Sequence, residues 1–576
     1  MRHQNCCWLA CGFLGFGVIL SVVAFPTVQG ARSAPSQEKR TPKLVVLAVF
    51  DQMRGDFLTK WKKYFRKEGF GRLQSEGAWF TDCHYPYANT VTGAGHAGLV
   101  TGCSPNKNGI VGNSWYDRES AKTVNCIENV RYKSVPYLGE KARRGAPTRR
   151  RRPSVGDALM EQTNGKAKVV SISIKDRAAM LLAALRSLLC LWFNYEEGMF
   201  VTSTYYSTEL PDWVMEYNKS RAVDKYFDQT WRQGRIDLDY FKIVGQDDFP
   251  YEGTGENQGQ TMPHSMKAGL KKPGPPYYRA LANSPFGNDV LADLAKRAIV
   301  EHKLGQDSYP DLLTIGFSSN DLVGHCWGPD SHEVFDITMR SDILIQDMLQ
   351  FLDKKVGRGN YLFIVSADHG VCPIPEYRKL KEKKDAGHVE PRALLAKSLA
   401  FLDDKFGNGK KQRWIESGSS GMYYLNQGTL KELNLKSATV EQALADWLAK
   451  QPGMLTAFTR TELMANNPKR KNDPFFQQVK LSFHPENSGD VMPVIKPYYL
   501  PTPPINPKKP GAYTTTHGSP HPYDTHVPLL VFGPGVRPGI RNQRVSPLSV
   551  AAIISESLGI RPPSGAEAKV PKGLWR

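Results

Sequence analysis

The chain has no CxxC pair, no internal repeat and no aromatics interleaved in its one arginine-rich run. The first absence argues against cysteine-held metal, and the second leaves repeat architectures without support. The run from Arg143 to Arg152 (RRGAPTRRRR) carries part of a formal net charge of +19. Without aromatics it reads as a solvated segment, and no nucleic-acid partner is expected. Long apolar stretches are also scarce: Trp8 to Phe25, broken only by Ser21, comes near the lower limit for spanning a bilayer. With Arg2 and His3 before it and Val28-Gln29-Gly30 after it, that stretch reads as an export signal over residues 1–30. The expected location is therefore periplasmic or extracellular, with no stable membrane insertion unless the signal is retained. Loss of the signal removes Cys6, Cys7 and Cys11, and leaves Cys83, Cys103, Cys126, Cys190, Cys326 and Cys372 as buried thiols or ordinary bridges.

What is present in quantity is buried-strand sequence. After a Ser/Pro/Gln/Lys-rich linker at 31–43, LVVLAVF (44–50) is a continuous apolar run of strand length. Similar runs recur near 168–174, 311–317, 361–366 and 527–533, and helical patterns over 287–303 and 333–355 lie between them. Alternation of this kind predicts an α/β fold with a doubly wound, mostly parallel sheet flanked by helices. The charged and Pro-rich stretch from about 373 to 510, with a helical piece at 440–451 and strand candidates near 421–425 and 491–499, predicts a smaller α+β insertion.

Chemistry collects where these strands end. Asp51 follows the first run, Asn320-Asp321-Leu322-Val323-Gly324-His325 follows DLLTIGF, and Asp368-His369 follows YLFIVS. Open α/β sheets place ligands at the carboxyl ends of their strands. Asp321 and His325 share a face if their segment is helical. Mixed Asp/His sets suit zinc, and two pairs on neighbouring strands suggest two ions. Three carboxylates gathered at one sheet edge would repel, and divalent cations relieve that repulsion. Thr92 opens Thr-Gly-Ala-Gly-His near an expected helix N-cap, where an anion is favoured. Lys175 and Arg177, two residues apart at another strand end, are expected on one side and suited to phosphoryl oxygens. Asn113 reads as a turn residue or one more donor. Among His517, His521 and His526, residue chemistry alone leaves the choice open.

Together VVLAVFDQMR, NTVTGAGHAGLVTG with GIVGN, SISIKDR, NDLVGHCWGPDS, SADHGV and HGSPHPYDTHVPL resemble the alkaline phosphatase superfamily. The resemblance runs from about Leu44 to the end and is to its bacterial periplasmic phosphate-irrepressible alkaline phosphatases with a threonine nucleophile. It implies one catalytic domain over 44–576, Thr92 as nucleophile, and Asn113, Lys175 and Arg177 on the phosphate. One zinc would be held by Asp321, His325 and His517, and a second by Asp51, Asp368 and His369 with the Thr92 oxygen beside it; manganese or calcium are alternatives. The implied reaction is hydrolysis of phosphate monoesters, small phosphorylated metabolites, through a covalent phosphothreonine. After SIKDR the chain departs from many relatives, because 178–194 (AAMLLAALRSLLCLWFN) is strongly apolar and could add a helix or a wall on the leaving-group side.

Two rivals follow. A nucleotide phosphodiesterase of the same superfamily would share all six metal ligands but as a rule lacks the Lys/Arg pair. An exported protein with structural ions would need closed sites, whereas these ligand sets leave room for Thr92 and a substrate oxygen. A sulfatase reading of Cys103-Ser104-Pro105-Asn106-Lys107 fails because the string ends in Lys and lies eleven residues beyond Thr92.

Overall fold

Leu44–Phe50 (β1) is buried along its whole length in a computed structural model that describes residues 41–139, 145–407, 409, 411–465 and 470–576. The export signal, most of the linker, and Arg143 lie outside the described residues. Among the described residues no helix is long and apolar enough to cross a membrane.

β1 is covered on both flanks because it pairs in parallel with Asp311–Phe317 on one side and Tyr361–Ser366 on the other. The main sheet has ten strands, in chain order Leu44–Phe50 (β1), Ala78–Phe80 (β2), Ser134–Val135 (β3), Val169–Ser173 (β4), Leu189–Asn194 (β5), Met199–Ser203 (β6), Asp311–Phe317 (β7), Tyr361–Ser366 (β8), Leu529–Phe532 (β9) and Gly539–Arg541 (β10). Their spatial order is β10-β2-β9-β8-β1-β7-β4-β5-β6-β3. The five central strands, β8 to β5, are mutually parallel. The apolar run that begins at Val527 supplies β9, which pairs antiparallel with both β8 and β2 and so marks the end of the parallel core.

Full burial of β1, β7 and β8 explains their unbroken apolar sequences. Each large side chain so buried contributes roughly 1.5–3 kcal/mol of transfer free energy, and Phe50 stacks on Phe317 at 4.8 Å to join two of these strands. Five helices matter for the site: Thr92–Thr101 (α1), Asp176–Leu182 (α2), Pro285–Glu301 (α3), Ser319–Trp327 (α4) and His332–Leu352 (α5). The α5 helix starts where Ser331 accepts a hydrogen bond from the Val334 N–H, an ordinary N-cap.

Register fixes the level at which the central strands end. Phe50 is opposite Phe317, Val49 opposite Ser366, and Gly316 opposite Ser173. The residues that follow these four strands therefore leave the sheet at one rim.

The apolar segment 178–194 is not one continuous helix. It divides into the end of α2 and strand β5, and its side chains enter the core from Ala178 to Phe193, apart from the turn around Leu185 and Leu188. Of the arginine run, Arg150 is not solvated: it is buried, with its guanidinium on Asp157 at 2.8 Å and on the Leu181 and Ala183 carbonyls. No disulfide joins the six described cysteines, and all six are buried.

Between residues 391 and 500 a second apolar cluster forms around Leu402, Trp414, Leu444 and Leu448. It is built from helices Pro391–Phe406 and Ser437–Leu448 and from the antiparallel pair Met454–Thr459 with Val491–Ile495.

Candidate active site

Asp51 follows β1, Asp368 and His369 follow β8, and Lys175 follows β4 two residues after its end. Asp321 and His325 lie one helical turn apart on α4, directly after β7. His517 comes from a loop almost two hundred residues later. Two triads result, Asp321/His325/His517 and Asp51/Asp368/His369, each with its ligand atoms within 4.8 Å of one another.

The imidazoles are oriented by backbone carbonyls. His325 Nδ1 bonds the Thr515 carbonyl at 2.7 Å, His517 Nδ1 that of Thr90 at 2.9 Å, and His369 Nδ1 that of Gly370 at 2.9 Å. Each ring then carries its hydrogen on Nδ1 and turns a bare Nε2 lone pair inward. Those lone pairs face carboxylate oxygens: His325 and His517 approach Asp321 Oδ1 at 3.2 and 3.5 Å, and His369 approaches Asp368 Oδ2 at 3.2 Å and Asp51 Oδ1 at 3.4 Å. Acceptor facing acceptor is repulsive unless a cation lies between, and Asp51 Oδ1 has no donor. Burial pushes His369 down to about 3 and lowers His517, so both are neutral, the state a metal ligand requires.

Charge points the same way. Lys175 Nζ bridges Asp51 Oδ2 at 2.7 Å and Asp321 Oδ2 at 2.5 Å. Burial opposes the charge of Lys175, but these carboxylates hold its pKa above the usual range. Burial and then the nearby Asp368 raise Asp51, whereas Asp321 lies well below the carboxylate norm despite its burial, with the Lys175 ammonium among the groups that lower it. One ammonium among three buried carboxylates leaves an excess of negative charge that divalent cations fit.

Thr92 is the first residue of α1, with Val91 as the N-cap, so its hydroxyl does not cap the helix. Oγ1 lies instead 3.4 Å from His369 Nε2. Asn113 accepts a 2.8 Å hydrogen bond from the Gly93 N–H, which commits its carbonyl oxygen to the start of α1. Lys175 and Arg177 do not project from a strand: β4 ends at Ser173, Lys175 caps α2 and Arg177 lies in its first turn. Arg177 Nε is buried without a hydrogen-bond partner. Of the other two histidines, His521 Nε2 bonds the Ile495 carbonyl and His526 Nε2 that of Thr81, both away from the triads.

Three site residues escape a reading of motifs. Gln52 donates its backbone N–H to Asp368 Oδ1 at 3.1 Å and its side-chain amide to Asp321 Oδ1 at 2.9 Å, which ties the triads together. It does so at φ 69°, a left-handed conformation uncommon for a non-glycine residue. Its position directly after Asp51 was the one available signal. His96, buried on α1, has Nδ1 2.9 Å from the Thr92 carbonyl and 3.0 Å from Asp368 Oδ2. Tyr513 stacks on His325 with centroids 4.2 Å apart.

Residues 45–520 match the family described as type I phosphodiesterase / nucleotide pyrophosphatase. Over 538 residues the chain is 34% identical to the alkaline phosphatase PhoV of Synechococcus elongatus, covering 93% of each protein. It is 31% identical over 555 residues to the alkaline phosphatase PafA of Elizabethkingia meningoseptica, covering 96% of this chain and 97% of that one. The crystal structure of wild-type PafA has the same fold, with a TM-score of 0.85 over 93% of this chain and 99% of that one at 31% identity.

Proposed function

Since the chain belongs to the type I phosphodiesterase / nucleotide pyrophosphatase family, and within the alkaline phosphatase superfamily to the branch of PafA and PhoV, we propose that it hydrolyses phosphate monoesters with the Thr92 hydroxyl as nucleophile. As an alkaline phosphatase it is an enzyme, and the reading as an exported structural metal-binding protein is set aside. The observation that carries the residue roles is the meeting of two Asp/His triads around Lys175, with Thr92 Oγ1 beside His369.

Two divalent cations, zinc in our reading, held one by Asp321, His325 and His517 and the other by Asp51, Asp368 and His369, would supply Lewis-acid charge for the attacking and departing oxygens. The chain does the rest. Thr92 Oγ loses its proton to solvent and forms a bond to phosphorus as the bond to the ester oxygen breaks, and the alcohol leaves with a proton from solvent. Lys175, Arg177 and Asn113 hold the non-bridging oxygens, the Lys as a point charge and the Arg as a planar fork. Water then cleaves the phosphothreonine, the proton returns to Oγ, and inorganic phosphate departs. A monoester carries more negative charge on the transferred group than a diester, so this cationic pair favours monoesters over the diesters named in the family description. A solved variant of PafA with one threonine, one asparagine, one lysine and one arginine substituted accords with these four residue types acting together.

The deciding experiment compares a chromogenic monoester with a chromogenic diester, on wild type and Thr92→Ala, with phosphoenzyme trapped by acid quench. Monoester preference and loss of the trapped species in Thr92→Ala are expected. Unchanged turnover and trapping would remove Thr92 from its role, and diester preference would make the enzyme a phosphodiesterase.

A further inference from the structure

Beside the triads opens a cavity of about 620 Å³. It shares Asn113 and His517 with the site, so any group attached to a phosphoryl oxygen held there has this space next to it. Its far wall comes from the segment between Val389 and Pro501, through Leu394, Leu395, Met422, Met454, Met492 and Val494. These residues belong to two apolar clusters that the cavity separates. The volume lies within the roughly 300–1,000 Å³ typical of small-molecule pockets. Three wall residues are methionines, unbranched and able to repack around guests of different outline.

Two of its polar lining groups, Ser482 Oγ and the Asn89 amide, are already engaged. Ser482 Oγ accepts from the Ala88 and Asn89 N–H groups at 2.9 Å each, and the Asn89 side-chain amide donates to the Val111 carbonyl. A guest rich in hydrogen-bonding atoms, such as a nucleobase, would lose water there without replacing it. An apolar guest gains by leaving water.

We propose that this cavity receives the organic group of the substrate, and that the enzyme selects monoesters of apolar alcohols and phenols, from fused rings to medium alkyl chains. The proposal rests on the monoesterase reading and extends it to substrate class. The apolar wall thus lies on the segment after residue 388, where the sequence pattern at 178–194 did not place it.

The test is the ratio of kcat/KM for 1-naphthyl phosphate to that for methyl phosphate, in wild type, Leu395→Trp and Met492→Trp, together with binding of 1-naphthol followed by its fluorescence. Leu395 is only half-buried, so its variant is tolerated even if the second is not, and thermal unfolding identifies folded protein. Filling the cavity should lower the ratio about tenfold or more and weaken 1-naphthol binding in parallel. An unchanged ratio in a folded variant, or no 1-naphthol binding to wild type, overturns the proposal. If wild type cleaves neither ester, the monoesterase reading fails, and 1-naphthol binding that is lost on filling still supports the cavity's role.

Discussion

Gly95 of α1 lies so close to Asp368 that a methyl group on its α-carbon would overlap the Asp368 carbonyl oxygen. The helix that carries Thr92 is thereby docked on the strand end that carries Asp368 and His369. Gly95→Ala should push α1 off this end, with a stability loss of about 1–3 kcal/mol from overpacking and a drop in activity larger than the unfolded fraction explains. Urea unfolding and turnover on the same sample check it; unchanged values in both would mean the contact is slack.

Lys175→Ala and Arg177→Ala should each reduce monoester kcat/KM by about 10²–10³-fold, the scale for removing one donor to developing charge. Diester hydrolysis should fall much less. Equal losses on both substrates would reject the phosphate-binding role of the pair.

Chelation should lower the unfolding midpoint, because the inward lone pairs and carboxylates of the triads then repel without compensation. Added zinc at ~100 times its dissociation constant should restore about 2.7 kcal/mol. Asp51→Asn together with Asp321→Asn should abolish that response in calorimetry; a full zinc-dependent rise in the double variant would place the ions elsewhere.

Acid should destabilise the metal-free protein through its buried histidines. Burial pushes His369 down to about 3 and His84, which stacks on His526 at 4.6 Å, down to about 4. An unfolded histidine titrates near 6.5. Because both folded values are depressed, their contribution is present in full above pH ~6.5 and is lost as pH falls toward the folded values. Asp524, raised to about 7 by burial, acts in the opposite sense, its contribution being lost as pH rises through that value. Buried carboxylates raised to about 6, Asp247, Asp289 and Asp342, act with Asp524 against the histidines over the same range, so the readout is differential: between pH 6.5 and 4.5 the urea midpoint of His84→Gln should change with pH less steeply in the acid-destabilising sense than that of wild type. Identical pH profiles in the two proteins would refute this account.

How much could be read in advance differs by residue. Asp51, Asp321 and Asp368 were legible because each comes within four residues of the end of an apolar run of the length and composition of a doubly covered strand. The helical spacing of Asp321 and His325 is local, and α4 realises it. Gln52 was not legible, since its function depends on a left-handed backbone and on two carboxylates brought to it from other strands. Nor was the course of 178–194, where an apolar run of helix-compatible composition turned at Leu185 to become α2 and β5. Periodicity cannot separate those outcomes when both faces are buried.

The sequence by itself determined the α/β class, the strands of the parallel core and the residue types at their ends, because buried strands and short-range spacing leave marks along the chain. Only the tertiary structure decided which histidine among His517, His521 and His526 faces Asp321, how Lys175 comes to bridge Asp51 and Asp321, and that the apolar cavity stands against Asn113 and His517. Those relations join residues more than a hundred positions apart, and strand register and loop packing, which no local pattern encodes, set the distances between them.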